Sequence, residues 1–259
     1  MTLAGLIGAC LAVTTALMLV VWLASLKLRD VSIVDIVWGL GFVQIAWLCF
    51  FLTGEPTARK VLLILLTSIW GLRLTLYLAW RKLGKPEDPR YMAMRGAIGQ
   101  RFWLVSLFVV FGLQGLIMNV VALPIMAGQF DRSPLGFIAI LGVSLWITGL
   151  LFEAIGDYQL ARFKGVAENR GKVMDRGLWR YTRHPNYFGD FLVWWGIFFV
   201  ASGERSWWTI VSPVVMSILL IRVSGVSLLE RSLQRDKEGY AEYMARTSAF
   251  FPWPPRRVA

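Results

Sequence analysis

Seven apolar runs, each close to the length needed to cross a bilayer, are the feature that most constrains the fold of this chain. They fall at residues 3–26, 32–53, 61–80, 102–127, 135–157, 186–203 and 206–229. A helix needs about 20 apolar residues to cross the hydrocarbon core, whereas a lipid-exposed sheet edge leaves backbone groups without partners. The pattern predicts an all-α integral membrane protein, a seven-transmembrane-helix bundle forming a single domain over residues 1–259.

Composition excludes several other classes of protein. The chain is 57% hydrophobic and 17% charged, whereas a soluble domain is about half apolar and about a quarter charged. Disordered chains, coiled coils and disulfide-stapled secreted domains are excluded, and an ordinary soluble enzyme is disfavoured. Cys10 and Cys49 lie in apolar runs without metal-ligand spacing, so we expect neither a disulfide nor a metal site.

The basic residues predict the orientation of the bundle. The net charge is +11, which alone is compatible with nucleic-acid binding, but the basic residues lie between the apolar runs. With the N-terminus outside and the C-terminus in the cytoplasm, the outward segments carry few of the 27 Lys and Arg residues: Arg59, Lys60, Arg132 and Arg205. This asymmetry follows the positive-inside rule. Three cytoplasmic segments, 81–101, 158–185 and 230–259, are then long enough to cap a cofactor cavity.

Ionisable residues inside the apolar runs are candidates for function, because a charge in a membrane is costly. Glu153 and Asp157 lie four residues apart on one helix face, where two carboxylates require a donor between them. Internal ion pairs that fix helix packing and a ligand site both account for such residues. The full set is Asp35, Arg73, Glu153, Asp157, Asp190, Arg222 and Glu230.

Residues 175–190 (Asp-Arg-Gly-Leu-Trp-Arg-Tyr-Thr-Arg-His-Pro-Asn-Tyr-Phe-Gly-Asp) carry the densest chemical signal. Pro185 keeps His184 out of a helix interior, so Arg180, Arg183 and His184 lie just before a helix N-terminus. Free N–H groups there and forked guanidinium donors suit a phosphate-bearing cofactor. A positive-inside loop with interfacial aromatic residues is the other interpretation. His184 can be a general acid–base, a hydrogen-bonding group or a phosphate contact.

Two tyrosines are candidates for a role in chemistry. Tyr77 has Arg73 and Arg81 four residues away on either side, and cationic neighbours favour a phenol that can polarise a carbonyl group. Packing explains Tyr77 equally well. Tyr91 follows a polar, turn-rich loop and is either an interfacial anchor or a cofactor contact.

Four stretches carry a resemblance to a known family: residues 32–39 (Ser-Ile-Val-Asp-Ile-Val-Trp-Gly), 156–164 (Gly-Asp-Tyr-Gln-Leu-Ala-Arg-Phe-Lys), 175–190 and 240–252. Through them the chain resembles bacterial members of the steroid 5α-reductase family over nearly its whole length. The core at 183–189 is also similar to segments of isoprenylcysteine carboxyl methyltransferases and membrane sterol reductases.

The resemblance implies a seven-helix bundle in the bacterial inner membrane that binds NADPH beneath its cytoplasmic loops. It implies reduction of the Δ4 double bond of a 3-oxo-steroid or a similar hydrophobic enone. Hydride goes to the β carbon while an acidic donor polarises the ketone. The expected partners are this hydrophobic substrate and membrane lipids, with no nucleic acid, and a monomer is compatible with the sequence.

The resemblance also assigns roles to individual residues. Asp35 and Tyr77 stand for the catalytic Glu and Tyr of the animal enzymes, and Trp38 is expected at the substrate. Glu153 replaces an Asn of the family. The residues expected at the cofactor are Arg90, Tyr91, Glu153, Asp157, Lys164, Lys172, Arg180, Tyr181, Arg183, His184, Asn186, Asp190, Arg222, Glu230 and Arg235.

Two other functions remain open on the sequence. An S-adenosylmethionine-dependent membrane methyltransferase would use the same 183–189 core with a different cofactor. A transporter or lipid-binding protein would tolerate loss of Asp157 and Asn186.

Overall fold

The regular structure is helical throughout the part of the chain that is described. The computed structural model describes residues 1–204, 206–223, 230, 234, 237 and 239–256. Within these ranges no β-strand occurs, and Thr182 and Ser248 form an isolated parallel bridge. The all-α prediction is confirmed for these residues. They divide into two compact units, residues 1–136 with 200–212, and residues 137–199 with those described from 213 onward. The prediction of a single domain stays a prediction.

The first unit is built around helices that are long and apolar. Thr2 and Thr57 cap the first and third of them through hydrogen bonds from the backbone N–H groups of Gly5 and Lys60, which satisfies donors that a helix N-terminus leaves open. The helices are α1 (Leu3–Leu28), α2 (Ile33–Leu52), α3 (Ala58–Lys82), α4 (Pro89–Val121) and the short α5 (Leu123–Gly128).

Helix α4 begins well before the apolar run that predicted it at residue 102. The Asp88 side chain accepts a hydrogen bond from the Arg90 N–H, and Pro89 occupies the first turn. Both features favour a helix start there, although the first turns are polar. A 3₁₀ turn at Gly99–Arg101 and a π-helical stretch at Leu107–Gly112 interrupt the regular winding.

Close backbone contact joins α2 to α3. A Cβ atom placed on Gly71 would lie 2.6 Å from the carbonyl oxygen of Gly39, so only glycine allows this approach. The rings of Phe42 and Trp70 meet edge to face beside it, with centroids 5.6 Å apart, and both side chains are fully buried. This contact fixes the helix that carries Asp35.

Arg59 lies in the first turn of α3 and is buried, although the sequence placed it in an outward segment. Its guanidinium donates to the carbonyl oxygens of Val200 (2.6 Å), Ser202 (2.7 Å) and Ser133 (3.1 Å). The carboxylate of Asp131 lies 3.8 Å away. Carbonyl dipoles and one carboxylate thus replace the water that a surface arginine would have.

The second unit contains α6, most of α7 and α8, and α9. The 28-residue α6 ends near Lys164, and α7 begins at Pro185 after an irregular segment. The bounds are α6 (Phe137–Lys164), α7 (Pro185–Ala201), α8 (Trp207–Arg222) and α9 (Tyr240–Arg246).

Helices α6 and α7 pack through glycines spaced seven residues apart. A Cβ atom on Gly149 would lie 2.5 Å from the carbonyl oxygen of Gly189. A Cβ on Gly189 would lie 2.6 Å from the backbone nitrogen of Glu153, and one on Gly196 would lie 2.6 Å from the carbonyl oxygen of Gly142. This glycine contact brings the Glu153–Asp157 face of α6 against the first turns of α7.

Five of the predicted membrane spans are confirmed as helices long and apolar enough to cross a bilayer, namely α1, α2, α3, α4 and α6. A multi-pass membrane protein is therefore supported. Helix α7 has 17 residues and α8 is a shorter apolar helix. Residues 224–229 of the seventh predicted run lie outside the described residues.

Arg183 anchors the C-terminal segment, residues 244–256. Its Nε atom donates to Glu230 Oε1 at 2.6 Å, and its Nη1 atom donates to the carbonyl oxygens of Met244 (3.1 Å) and Thr247. Burial acts to raise the pKa of Glu230, but hydrogen bonds from His184 and Arg183 outweigh it and hold that pKa below its usual value.

We expect Gly149→Ala to lower the free energy of unfolding by about 1–3 kcal/mol, because the added methyl forces the α6–α7 backbones apart. Gly8→Ala in α1 is the matched control, since nothing lies within 4 Å of a Cβ there. The control should be neutral or slightly stabilising. Thermal unfolding in detergent measures both, and equal melting temperatures for the two variants would contradict the packing.

We expect Glu230→Gln to lower the melting temperature at neutral pH by roughly 2–5 °C. A lowered folded-state pKa means that the stabilisation is complete above the unfolded value, 4.5, and is lost as the pH falls through the folded value. The difference between variant and parent should therefore shrink under acid conditions. Glu168→Gln, at an exposed carboxylate, is the control, and a difference independent of pH would refute the account.

Candidate functional site

A hydrogen-bonded pair, Asp35 and Tyr91, joins the starts of α2 and α4 in the first unit. The Tyr91 hydroxyl donates to Asp35 Oδ1 at 2.9 Å, and Arg90 Nη2 donates to Asp35 Oδ2 at 3.0 Å. Gln114 lies 23 residues further along α4, and its Nε2 atom donates to the Tyr91 oxygen at 3.1 Å. The Tyr91 hydroxyl thus donates one hydrogen bond to a carboxylate and accepts one from a carboxamide.

The segments that carry this pair are held by a second set of polar contacts. Glu87 accepts from the Val31 N–H at 2.7 Å and from Arg95 at 2.8 Å, and Lys82 pairs with Asp30 at 2.9 Å. Burial acts to raise the pKa of Asp30, but hydrogen bonds from Ser32 and Lys82 lower it overall. The loop before α2 and the loop before α4 are therefore fixed to each other.

Asp88 adds a further restraint on Arg90. Its Oδ1 atom accepts from Arg90 Nε at 2.9 Å, and its N–H donates to the Ser32 hydroxyl at 3.3 Å. Burial raises the pKa of Asp88, and the hydrogen bonds and positive charge of Arg90 lower it by more. Arg90 is thus a fixed cation that bridges two carboxylates.

Trp38 and Tyr77 lie on different helices of this unit. Trp38 follows Asp35 by three residues on α2, so the two side chains share a helix face, and its ring meets Phe42 edge to face at 5.4 Å. Tyr77 on α3 is half-buried, and the guanidinium groups of Arg73 and Arg81 lie 5.5 and 5.6 Å from its ring centre. The two arginines lie on either side of Tyr77, as their spacing along the helix predicts, and the catalytic role of Tyr77 stays a prediction.

In the second unit, the glycine contact between α6 and α7 brings together the acidic residues predicted at the cofactor. Asn186 Nδ2 donates to Asp157 Oδ1 at 3.3 Å. Asp157 and Glu153 are only 5% and 4% exposed, and Asp190 lies one turn beyond Asn186 on α7. The structure therefore brings Asp157 and Asn186 into contact, with Glu153 and Asp190 on the same two helices, and their role at a cofactor stays a prediction.

The irregular segment before α7 is tied to the end of α6. Trp179 Nε1 donates to the Gly156 carbonyl at 3.0 Å, and the Leu178 N–H donates to Gln159 Oε1 at 3.0 Å. These two bonds hold the turn that carries Arg180 beside the Asp157 end of α6.

His184 is 1% exposed and lies between an aromatic ring and a carboxylate. Its ring stacks on Tyr187 at 5.4 Å and its Nε2 atom lies 3.2 Å from Glu230 Oε1. Tyr240 is buried nearby, and burial, reinforced by the negative charge of Glu230, raises its pKa to about 12. His184 and Arg183 thus share Glu230, and this contact is consistent with the hydrogen-bonding role of His184 among the three that the sequence leaves open.

The remaining predicted cofactor residues are exposed or lie outside the description. The carbonyl oxygen of Lys172 accepts from Lys237 Nζ at 2.7 Å, and that of Tyr181 accepts from the Trp253 N–H at 2.9 Å. Arg235 lies outside the described residues. The exposed ones are Lys164, Lys172, Arg180, Tyr181 and Arg222, and their assignments stay predictions.

Sequence reasoning missed Gln114 as the second partner of Tyr91, and Arg176, Arg246 and Arg256 as neighbours of Arg180. Gln114 is an isolated polar residue in an apolar run, which is itself a signal. The three arginines belong to basic segments that the sequence predicts to cap a cofactor cavity, without a role for each of them. Spacing along the chain does not reveal which of them meet in space.

The residues predicted at the cofactor include groups that could bind NADPH, and the use of NADPH stays a prediction. Carboxylates and a carboxamide can bind ribose hydroxyls and an amide group, and exposed arginines of the same unit can bind phosphates. The described residues contain no group of three or more His, Cys, Asp and Glu side chains that could hold a metal ion.

Comparisons with known proteins give one partial and one extended similarity. Human 3-oxo-5-alpha-steroid 4-dehydrogenase 1 is 32% identical over 57 residues, which is 22% of this chain and 22% of the human protein. An uncharacterised protein of Schizosaccharomyces pombe is 25% identical over 267 aligned residues, covering 90% of this chain and 76% of the yeast protein.

No solved structure matches the chain. The model of one protein family does match, and it covers residues 21–247. That family is described as a protein of unknown function, DUF1295, and the chain belongs to it.

Proposed function

We propose that the protein is a membrane oxidoreductase that reduces the carbon–carbon double bond of a hydrophobic enone, such as a 3-oxo-Δ4-steroid, with NADPH. Its family includes steroid 5α-reductase-like proteins, and a short segment is similar to the human 3-oxo-5-alpha-steroid 4-dehydrogenase 1. The observation that carries the proposal is the Tyr91 hydroxyl donating to Asp35 at 2.9 Å.

Tyr91 is the group we place at the ketone oxygen. Reduction at the β carbon builds negative charge on that oxygen, and a hydrogen bond donated to it lowers the barrier. The phenol oxygen of Tyr91 receives a hydrogen bond from Gln114, and the Arg90 guanidinium lies 5.5 Å from the ring centre. Both groups favour negative charge on the phenol when its proton moves towards the ketone, whereas burial and the Asp35 carboxylate oppose it.

Asp35 and Trp38 orient the reaction in this proposal. Asp35 accepts a hydrogen bond from the Tyr91 hydroxyl in the resting state and is itself held by Arg90 at 3.0 Å, so the phenol has one defined position before substrate binds. Trp38 lies one turn further along α2 and offers an apolar ring for the body of a steroid or lipid enone.

The second unit supplies the residues we assign to the cofactor. Asp157, Asn186, Glu153 and Asp190 would bind the nucleoside hydroxyls and the carboxamide, and the basic segments would bind the phosphates. When bound, NADPH supplies the hydride for the β carbon. The chain contributes position and exclusion of water.

We further propose seven spans, with α7 and α8 completing the five long helices, the N-terminus outside and the cofactor residues on the cytoplasmic side of a bacterial inner membrane. The distribution of Lys and Arg between the apolar runs supports this orientation. The proposed unit of function is a monomer.

Tyr91→Phe should reduce kcat for progesterone or testosterone by about 10²–10³-fold, with a smaller change in KM, because the lost hydrogen bond acts on the transition state. The assay follows NADPH oxidation by the protein in detergent, and mass analysis confirms a product heavier by one H₂.

Tyr77→Phe is the matched control, since it removes the same hydroxyl from a tyrosine of the same unit. It should retain activity if Tyr91 is the donor. Loss of turnover in Tyr77→Phe with normal turnover in Tyr91→Phe would return the assignment to Tyr77.

Asp157→Asn and Asn186→Ala should each weaken NADPH binding about tenfold, since each removes a partner from a buried polar set. Nucleotide fluorescence measures the affinity. Ser144→Ala on α6 is the control, because that hydroxyl is exposed and binds the Ile140 carbonyl. Saturable binding of S-adenosylmethionine without binding of NADPH would instead support the methyltransferase.

A further inference from the structure

A cavity of about 620 Å³ lies in the second unit, between the turn at 175–180 and the C-terminal segment. Four arginines reach its walls from these two parts of the chain: Arg176, Arg180, Arg246 and Arg256. All four are exposed, so their guanidinium groups are accessible to a ligand.

Backbone contacts hold the two walls together. The Arg183 N–H donates to the Ser248 carbonyl at 2.9 Å, and the Trp253 N–H donates to the Tyr181 carbonyl at 2.9 Å. The Arg256 N–H also donates to the Arg246 carbonyl at 2.8 Å. The arginines therefore project from a fixed frame and not from free loops.

The turn at 175–180, which forms one wall of the cavity, requires glycine at position 177. Gly177 has a φ of +61°, and a Cβ there would collide with the Gln159 side chain. Gln159 in turn accepts from the Leu178 N–H. The turn that presents Arg176 and Arg180 is thus positioned by its contact with α6.

One carboxylate lies among the four cations. Arg246 Nη2 donates to Asp175 Oδ2 at 2.6 Å, and both side chains are well exposed, at 44% and 36%. Such an exposed pair is weak, so an anion with more charge and more acceptor oxygens can replace Asp175. Arg183 differs, because its donors already bind Glu230 and backbone carbonyls.

We propose that this cavity is a phosphate-binding site, in which a phosphate ester or diphosphate displaces Asp175 from Arg246 and is bound by Arg176, Arg180 and Arg256. Several planar, forked donors on one concave surface match the geometry of phosphate oxygens. The phosphate can come from a soluble nucleotide or from the headgroup of an anionic lipid. The nucleotide source rests on the proposed function, because that function assigns the phosphates of NADPH to the basic segments, whereas the lipid source does not.

The test is calorimetric titration of the purified full chain in a neutral detergent with inorganic pyrophosphate. A second arm uses nanodiscs of phosphatidylglycerol or phosphatidylcholine and measures lipid retained by the protein. Arg180→Gln and Arg246→Gln should each weaken binding about tenfold. Arg162→Gln, at an exposed arginine of the same unit that does not line the cavity, should leave it unchanged.

Asp175→Asn gives the sharpest outcome, because loss of a competing carboxylate should tighten binding about threefold. A purely structural ion pair predicts no gain. Melting temperatures of all variants establish that they are folded.

Pyrophosphate binding that competes with nucleotide identifies a soluble ligand, and selective retention of phosphatidylglycerol identifies a lipid. Either result supports the site when the arginine variants lose it. The proposal is overturned if neither ligand binds saturably, if Arg162→Gln has the same effect as the cavity variants, or if Asp175→Asn weakens binding. None of these readouts uses turnover, so they are independent of the reductase assay.

Discussion

The need to compensate charge at and inside apolar helices governs the arrangement of polar groups in this protein. A charged side chain withdrawn from water requires partners that supply comparable electrostatic stabilisation. Arg59 obtains them from three carbonyl oxygens and Asp131. Asp35 obtains them from Arg90 and Tyr91. The first arrangement uses backbone groups and a carboxylate, whereas the second pairs a carboxylate with a guanidinium and a phenol, and it is the second that the proposed function uses.

Close packing of α6 and α7 at their glycines brings the polar side chains of the second unit together. Where Gly149 meets Gly189, the α6 and α7 backbones touch, and the contact continues at Gly156, where a Cβ atom would lie 3.4 Å from the Asn186 backbone nitrogen. Asp157 and Asn186 consequently meet at 3.3 Å. A contact built from leucines would separate the helices and place the same residues too far apart to share a ligand. The positions of Asp157 and Asn186 along their helices place them on facing surfaces, and the glycines set the distance between the two helices.

The sequence predicted the parts of this structure that depend on local periodicity. Five long apolar helices were recognised from their runs, and the four-residue spacing correctly placed Glu153 and Asp157 on one face. Local periodicity could not predict which residue forms a hydrogen bond with Asp35. The pairing with Tyr91 joins residues 56 apart and depends on a helix start at Pro89 that polar residues concealed. Gln114 and Arg246 were missed for the same reason, because their roles arise only when distant segments fold together.

Tyr77 and Tyr91 show that residue type and spacing do not by themselves identify which tyrosine has a fixed hydroxyl. Tyr77 has the cationic neighbours that its spacing predicts, at 5.5 and 5.6 Å, yet a cation over a ring face stabilises the ring without fixing the hydroxyl. Tyr91 has a proton acceptor, a hydrogen-bond donor to its oxygen and a cation near its ring. A general acid requires a defined proton direction as well as a favourable charge environment. The Tyr91 hydroxyl has a defined hydrogen-bonding geometry in the structure, and this is the observation that favours Tyr91 over Tyr77 in the proposed function.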